Sequence, residues 1–133
     1  MSDHVDAVVA TVRGWDGVTV APHRFGGQEF KLDQVEIGHV HTGGLVDIPF
    51  TRAIREQLVA ENRAQPHHIL PDTGWISFTM RAPADVEAVL DLLRLSYLQK
   101  RLARSRRDAA QQAALMGEFE ALSLSPELRA LVA

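Results

Sequence analysis

Two extended stretches that only two residues separate constrain the fold of this chain more than any other feature. They are QEFKL (28–32) and VEIGHVH (35–41), and Asp33 and Gln34 between them have the length of a tight hairpin connection. Strands joined by so short a turn must run in opposite directions, because a parallel pair needs a crossover of about a dozen residues or more. The sequence therefore predicts an antiparallel sheet.

Further strands are predicted on both sides of this hairpin. VTVAP (18–22) predicts a strand before it, and the Thr-Gly-Gly segment at 42–44 ends the run. Later in the chain, HHILPDTGWISFTM (67–80) predicts two more strands around its Pro-Asp-Thr-Gly turn.

Apolar residues at helical spacing predict three helices in the same region. The first is capped by Ser2 and stops at Gly14, the second is capped by Thr51 and runs to about Asn62, and a long third helix begins at Pro83. Their apolar faces are Val5, Val8, Val9 and Val12, then Ile54 and Leu58, then Val86, Val89, Leu90, Leu93 and Tyr97. The predicted order is α-β-β-β-α-β-β-α, an α+β fold of two layers in which helices cover one face of the sheet and solvent the other.

The rest of the chain predicts a helical extension. The third helix continues into a basic cluster, Lys100, Arg101, Arg104, Arg106 and Arg107. Beyond this cluster lies an apolar stripe, Leu115, Met116, Phe119 and Leu122. A short helix then starts at Ser125-Pro126-Glu127. We expect residues 1–103 to form the α+β domain and residues 104–133 the extension. The stripe is expected to fold back on the domain or to pack against a second copy.

Composition limits the partners and the compartment. The net charge is −3 and no aromatic residues are interleaved with the basic cluster, so a solvated helix face is the better interpretation of the cluster than a nucleic-acid site. The chain has no cysteine, which excludes disulfides and thiolate metal sites. It shows neither a signal peptide nor an apolar run of membrane-spanning length. We expect a cytoplasmic protein with no membrane partner.

The third predicted strand carries the most unusual side chains. Strict alternation places Ile37, His39 and His41 on one face, which the helices would cover, and places Ser77 and Thr79 on the other. Neighbours on one face of a strand are roughly 6.6 Å apart, so the two imidazoles can address one metal, substrate or carboxylate. Buried rings need polar partners. The candidates are Asp47 and one of His67 and His68, which point to opposite faces if they lie in a strand.

These residues resemble a known family. VTVAPHRFGGQEFKLDQVEIGHVHTGGLVDIPF, PHHILPDTGWISF and ADVEAVLDLLRLSY resemble small bacterial members of the luciferase-domain family, which also includes the fungal luciferases. The strand order and GWISF before a helix ending in SY are similar, more weakly, to MmcQ/YjbR-like proteins. That similarity implies the two-layer fold called secretion-chaperone-like, or YjbR-like.

The resemblance also implies a chemistry. Fungal luciferases oxidise a hydroxylated pyrone with molecular oxygen, without metal or flavin, so it implies a cofactor-independent oxygenase acting on a small aromatic or enolic molecule. Such a reaction needs a base to form the enolate, and histidine suits that role. The expected catalytic residues are His39, His41 and Asp47, one histidine as base and the other as oxyanion holder. The expected ligand-binding residues are His23, Phe50, His67, His68 and Trp75, with no metal.

Other interpretations stay open. The two histidines can be structural, hydrogen-bonded to Asp47, in a noncatalytic binding or interaction module. Zinc or iron can bind them if Asp47, His67, His68 or His23 supplies a third ligand. Trp75 can be a homodimer contact or an isolated exposed aromatic residue. A hydrolase of the Ser-His-Asp type is not favoured, since Ser77 is predicted on the face away from the histidines.

Overall fold

The chain folds into one antiparallel sheet and five helices in the part that the structure describes. The computed structural model describes residues 3–67, 69–70 and 72–132. The strands are β1 (Val18–Pro22), β2 (Gln28–Leu32), β3 (Val35–Val40), β4 (Leu45–Pro49), β5 (Gln65–Pro66) and β6 (Trp75–Thr79), and the helices are α1 (Asp3–Arg13), α2 (Arg52–Ala60), α3 (Pro83–Arg104), α4 (Ala109–Glu120) and α5 (Pro126–Leu131). The order of strands in the sheet is β1-β2-β3-β4-β6-β5. The predicted α+β class is confirmed.

The predicted helices form where their caps and apolar spacing place them. Thr51 Oγ1 accepts a hydrogen bond from the backbone N–H of Ile54 at 3.2 Å and begins α2. Ser125 Oγ accepts one from Leu128 at 3.0 Å and begins α5. The predicted cap of α1, Ser2, lies outside the described residues. None of the helices in the described ranges combines the length and the apolar character that crossing a membrane requires.

Strand β4 was not predicted, and the prediction of three strands before α2 is wrong. The Thr-Gly-Gly segment is a hairpin turn rather than the end of the run: His41 N–H donates to Leu45 O at 2.8 Å. Gly44 adopts a φ of +97°, a conformation that glycine enters at little cost. Asp47 in the middle of β4 disfavours a strand locally. Pairing with β3 on one side and β6 on the other overrides that preference.

The prediction of a strand at 67–70 is also wrong. Among the described residues, only the two-residue strand β5 pairs with β6 on this side, and the described residues that follow β5 form a loop. His67 Nδ1 accepts hydrogen bonds from the backbone N–H groups of Ile69 and Leu70 at 3.1 and 3.0 Å. This local turn replaces strand pairing. His68 lies outside the described residues.

Helices cover one face of the sheet. The long helix α3 packs against β3 and β4, where Ser96 Oγ donates to Ile37 O at 2.8 Å. The buried apolar residues form a core cluster to which the sheet and all five helices contribute, including Phe119 of α4 and Leu128 of α5. The apolar stripe of the C-terminal segment therefore folds back onto the same core.

Polar contacts also connect this C-terminal segment to the rest of the chain. Arg94 of α3 pairs with Glu118 of α4 at 2.5 Å. Ser125 Oγ contacts Glu61 Oε2, beyond α2, at 2.5 Å. In the basic cluster, Arg104 pairs with Asp33 of the hairpin turn.

A β-bulge in β3 inverts the faces that strict alternation predicts. Phe30 of β2 lies opposite Gly38, whereas the next residue, Lys31, lies opposite Glu36, so Ile37 is an extra residue on β3. Ile37 is fully buried with the helix-facing core, and a Cβ added to Gly38 would meet Leu93 of α3 at 2.7 Å. Both residues of the bulge thus point toward the helices.

After the bulge, the histidines point the other way. His39 is the register partner of Asp47, while the next residue, Val40, belongs to the helix-facing core. The prediction that His39 and His41 continue the core face is therefore wrong: they lie on the face that the helices leave open. Ser77 was predicted to lie away from them, and it shares their face.

Candidate functional site

A row of polar side chains crosses four neighbouring strands on the open face. Glu29 of β2 is the register partner of His39 of β3, His39 of Asp47 of β4, and Asp47 of Ser77 of β6. Residues directly opposite each other in antiparallel strands share a face, with Cβ atoms about 4.5–5.5 Å apart. The sheet register thus places these four side chains in one row on the same face. His41 joins them from the end of β3 and His67 from the loop after β5.

The centre of this histidine–aspartate cluster is the carboxylate of Asp47, which is 1% exposed. Its Oδ2 lies 3.1 Å from His39 Nε2 and 2.9 Å from His41 Nε2. Its Oδ1 accepts a hydrogen bond from Ser77 Oγ at 2.6 Å and lies 3.6 Å from His67 Nε2. Each oxygen of one buried carboxylate therefore has two polar neighbours.

A second layer of contacts orients the imidazoles. His39 Nδ1 lies 2.6 Å from Glu36 Oε2, so this ring sits between two carboxylates. His23 Nδ1 lies 3.0 Å from Glu29 Oε1. The Nδ1 atom of His67 accepts from backbone N–H groups, so the neutral ring carries its hydrogen on Nε2, directed at Asp47.

The electrostatics of the cluster are set by burial and by these hydrogen bonds. Burial opposes charge on His39, but its hydrogen bonds to Asp47 and Glu36 outweigh burial and raise the pKa of His39 to about 9. Burial likewise acts to raise the pKa of Asp47, and hydrogen bonds from His39, Ser77 and His41 outweigh it and hold that pKa far below its usual range. The cluster accordingly pairs a carboxylate with a cationic imidazole at neutral pH.

Aromatic rings flank the cluster. The rings of His23 and His39 are stacked, with centroids 4.0 Å apart and planes 20° apart. The Trp75 ring centroid lies 5.5 Å from that of His39 and 5.9 Å from that of His67. The His41 side chain is 30% exposed, whereas His39 is 10% exposed. Solvent therefore reaches the cluster at the His41 edge.

The structure brings together most of the predicted site residues. The ones that meet at the cluster are His23, His39, His41, Asp47, His67 and Trp75. His68 lies outside the described residues. Sequence reasoning missed Glu36, Glu29 and Ser77; the hairpin register offered a signal for Glu29, but the bulge hides Glu36 and Ser77 from any argument by alternation.

Phe50 does not join the histidine–aspartate cluster and lies instead at a cavity elsewhere in the fold. A cavity of about 830 Å³ opens between the end of β4, α3 and α4, and its lining includes Phe50, Lys100 and Arg106. The Lys100 ammonium donates to Pro49 O at 2.7 Å and lies 5.9 Å from the Phe50 ring centroid. None of the clustered histidines lines this cavity.

The fold and the cluster together define the class of protein. It is an α+β protein whose helices cover one sheet face, and whose open face carries a buried aspartate ringed by histidines. The sequence model of the luciferase domain matches residues 34–96, so this part of the chain is similar to the luciferase-domain family. The matched segment contains Glu36, His39, His41 and Asp47, whereas His23 precedes it. No curated protein and no solved structure matches the chain.

Proposed function

We propose that this protein binds a small aromatic or enolic molecule at the histidine–aspartate cluster and oxidises it with molecular oxygen. One observation carries the proposal: in a segment similar to the luciferase-domain family, imidazole nitrogens converge on one buried carboxylate beside the ring of Trp75. Polar groups that converge next to aromatic surface are the usual composition of a small-molecule site.

The groups of the cluster support such a reaction in the following way. A flat ligand enters at the His41 edge and packs against the Trp75 ring, with its enol oxygen beside His39 and His41. Positive charge there stabilises the enolate. The enolate passes one electron to oxygen, and the resulting carbon radical and superoxide combine to form a C–O bond. The proton that the enol gives to an imidazole of the cluster then returns to the peroxide, so atoms and electrons balance.

Oxygen uptake tests the proposal. We would screen hydroxypyrones and phenolic acids for a rise in melting temperature, which any ligand that prefers the folded state produces. Ligands that bind would then be tested in an oxygen electrode. We expect ligand-dependent uptake in the parent, a loss of about 100-fold in His41→Gln, and no change in His4→Gln, a histidine of α1. A screen without any thermal shift or oxygen uptake would refute the proposal.

A noncatalytic module with structural histidines is the second candidate. The observation that favours it is that polar groups of the cluster hydrogen-bond to one another within the chain. Buried networks of this kind can serve to specify a fold. In that case His41→Gln and His39→Gln both lower the melting temperature strongly, while no molecule of the screen raises that of the parent.

A further inference from the structure

We infer that the histidine–aspartate cluster is a binding site for one divalent transition-metal ion, with His39 Nε2, His41 Nε2 and Asp47 Oδ2 as its ligands. The inference takes the same cluster as the proposed function and deepens it, because the ion supplies positive charge next to the enol oxygen. Nitrogen and carboxylate ligands in this ratio suit Fe²⁺, Co²⁺ or Zn²⁺.

The spacing of the ligand atoms fits one ion. Two ligand atoms that each lie about 2.1 Å from a metal and subtend a right angle are about 3.0 Å apart. Asp47 Oδ2 lies 3.1 Å from His39 Nε2 and 2.9 Å from His41 Nε2. All three atoms lie within 4.8 Å of one another. An ion can therefore be accommodated by small movements of side chains that already converge.

Asp47 Oδ2 is the common neighbour of the two imidazoles. It lies 3.1 Å from His39 Nε2 and 2.9 Å from His41 Nε2, so a single cation beside this oxygen would have three neighbours. Without metal, the His39 ring donates its Nε2 hydrogen to Asp47, and a bound ion would take the place of that proton, because a ligating histidine binds through a nitrogen lone pair.

The surrounding contacts are those that metal ligands usually have. A ligating histidine commonly donates its other N–H to a carboxylate, which fixes the ring and makes it a stronger ligand. Glu36 provides that contact for His39 at 2.6 Å. Ser77 holds the second carboxylate oxygen of Asp47 at 2.6 Å, leaving Oδ2 directed at the two imidazoles.

His67 is a supporting residue rather than a ligand. Its Nδ1 accepts hydrogen bonds from two backbone N–H groups, so its neutral ring keeps a hydrogen on Nε2 and has no second lone pair to offer. Three protein ligands then leave coordination positions for water or substrate. The 30% exposed side chain of His41 marks the side from which they are reached.

Metal binding to the full chain tests the inference directly. Protein freed of metal with a chelator would be titrated with Co²⁺, read by its visible absorption, and with Zn²⁺ in competition with a chromophoric chelator. We expect one equivalent per chain. Glu36→Gln should keep that stoichiometry with an affinity about 10–100-fold lower, the usual effect of changing a supporting contact. His41→Gln, which removes a ligand, should lose at least about 100-fold, and His4→Gln should match the parent.

Two results would overturn the inference. They are a parent chain that binds no stoichiometric Co²⁺ or Zn²⁺, and a His41→Gln variant that is folded by circular dichroism and binds as tightly as the parent. His41 is chosen because its partial exposure makes the variant the one most able to fold.

The metal site and the proposed function fail in different ways. Tight Co²⁺ binding by a protein that consumes no oxygen with any enol supports the metal site and refutes the oxidation. Ligand-dependent oxygen uptake that metal removal leaves unchanged refutes the metal site and supports the oxidation.

Discussion

The loss of a proton from Lys100 should raise the free energy of unfolding as the pH rises above neutral. Burial lowers the pKa of Lys100 to about 8, and the charge of Glu36 offsets that effect only in part. A lysine in an unfolded chain titrates near about 10.4. Between these two values the unfolded state binds more protons than the folded state, so the free energy of unfolding rises with pH.

The size of this effect follows from the shift in pKa. A difference of about 2.4 pH units corresponds to about 3 kcal/mol at 1.36 kcal/mol per unit. Because the Lys100 side chain keeps some contact with solvent, we expect a measured gain of about 1–3 kcal/mol between pH 7 and 10.5. The buried ammonium thus opposes folding at neutral pH, and the penalty disappears as the folded chain loses this proton.

Urea denaturation at a series of pH values checks this prediction. The chain has two lysines, Lys31 and Lys100, which gives a matched control. The parent and Lys31→Met should gain stability with pH relative to Lys100→Met, because both keep Lys100. A Lys100→Met variant with the same pH dependence as the parent would refute the reasoning.

Two further substitutions test the packing of the site. Gly38→Ala should lower the free energy of unfolding by about 1–3 kcal/mol, because the new Cβ would lie 2.7 Å from Leu93 Cδ2 and 3.1 Å from Asp47 O. Gly43→Ala is the control: a Cβ there meets nothing within 4 Å, so its free energy of unfolding in the same urea titration should stay within about 1 kcal/mol of that of the parent. Ser77→Ala should lower it by about 1–3 kcal/mol, because it leaves one oxygen of the buried Asp47 without its 2.6 Å hydrogen bond. A Ser77→Ala melting curve that overlays the parent's would show that this contact adds nothing.

The sequence predicted the helices and the first hairpin because their signals are local. Thr51 as a cap and a two-residue turn after β2 act within a few residues of themselves. β4 escaped prediction because Asp47 disfavours a strand by itself, and only the strands on both sides of it make the pairing favourable. A preference that depends on neighbours distant in the chain cannot be read from a short segment.

The sequence indicated which side chains meet in the cluster better than it indicated how they are arranged. His39, His41 and Asp47 stood out by residue type and proximity in sequence, and the structure brings them together. Their face was predicted incorrectly because one extra residue, Ile37, shifts the alternation of everything after it. His67 became a cluster member through a turn made by its own side chain, which a strand prediction at that position excluded.

The β3–β4 hairpin gives the cluster an unusually local origin. His39, His41 and Asp47 lie within nine consecutive residues: His39 on β3, Asp47 on β4, and His41 in the four-residue connection between these strands. Closing so short a loop costs little chain entropy, and contacts of low sequence separation form early in folding. The hairpin itself therefore sets the centre of the site. The C-terminal helices, more than sixty residues away, affect the stability of the fold more than they affect the relative positions of these three side chains.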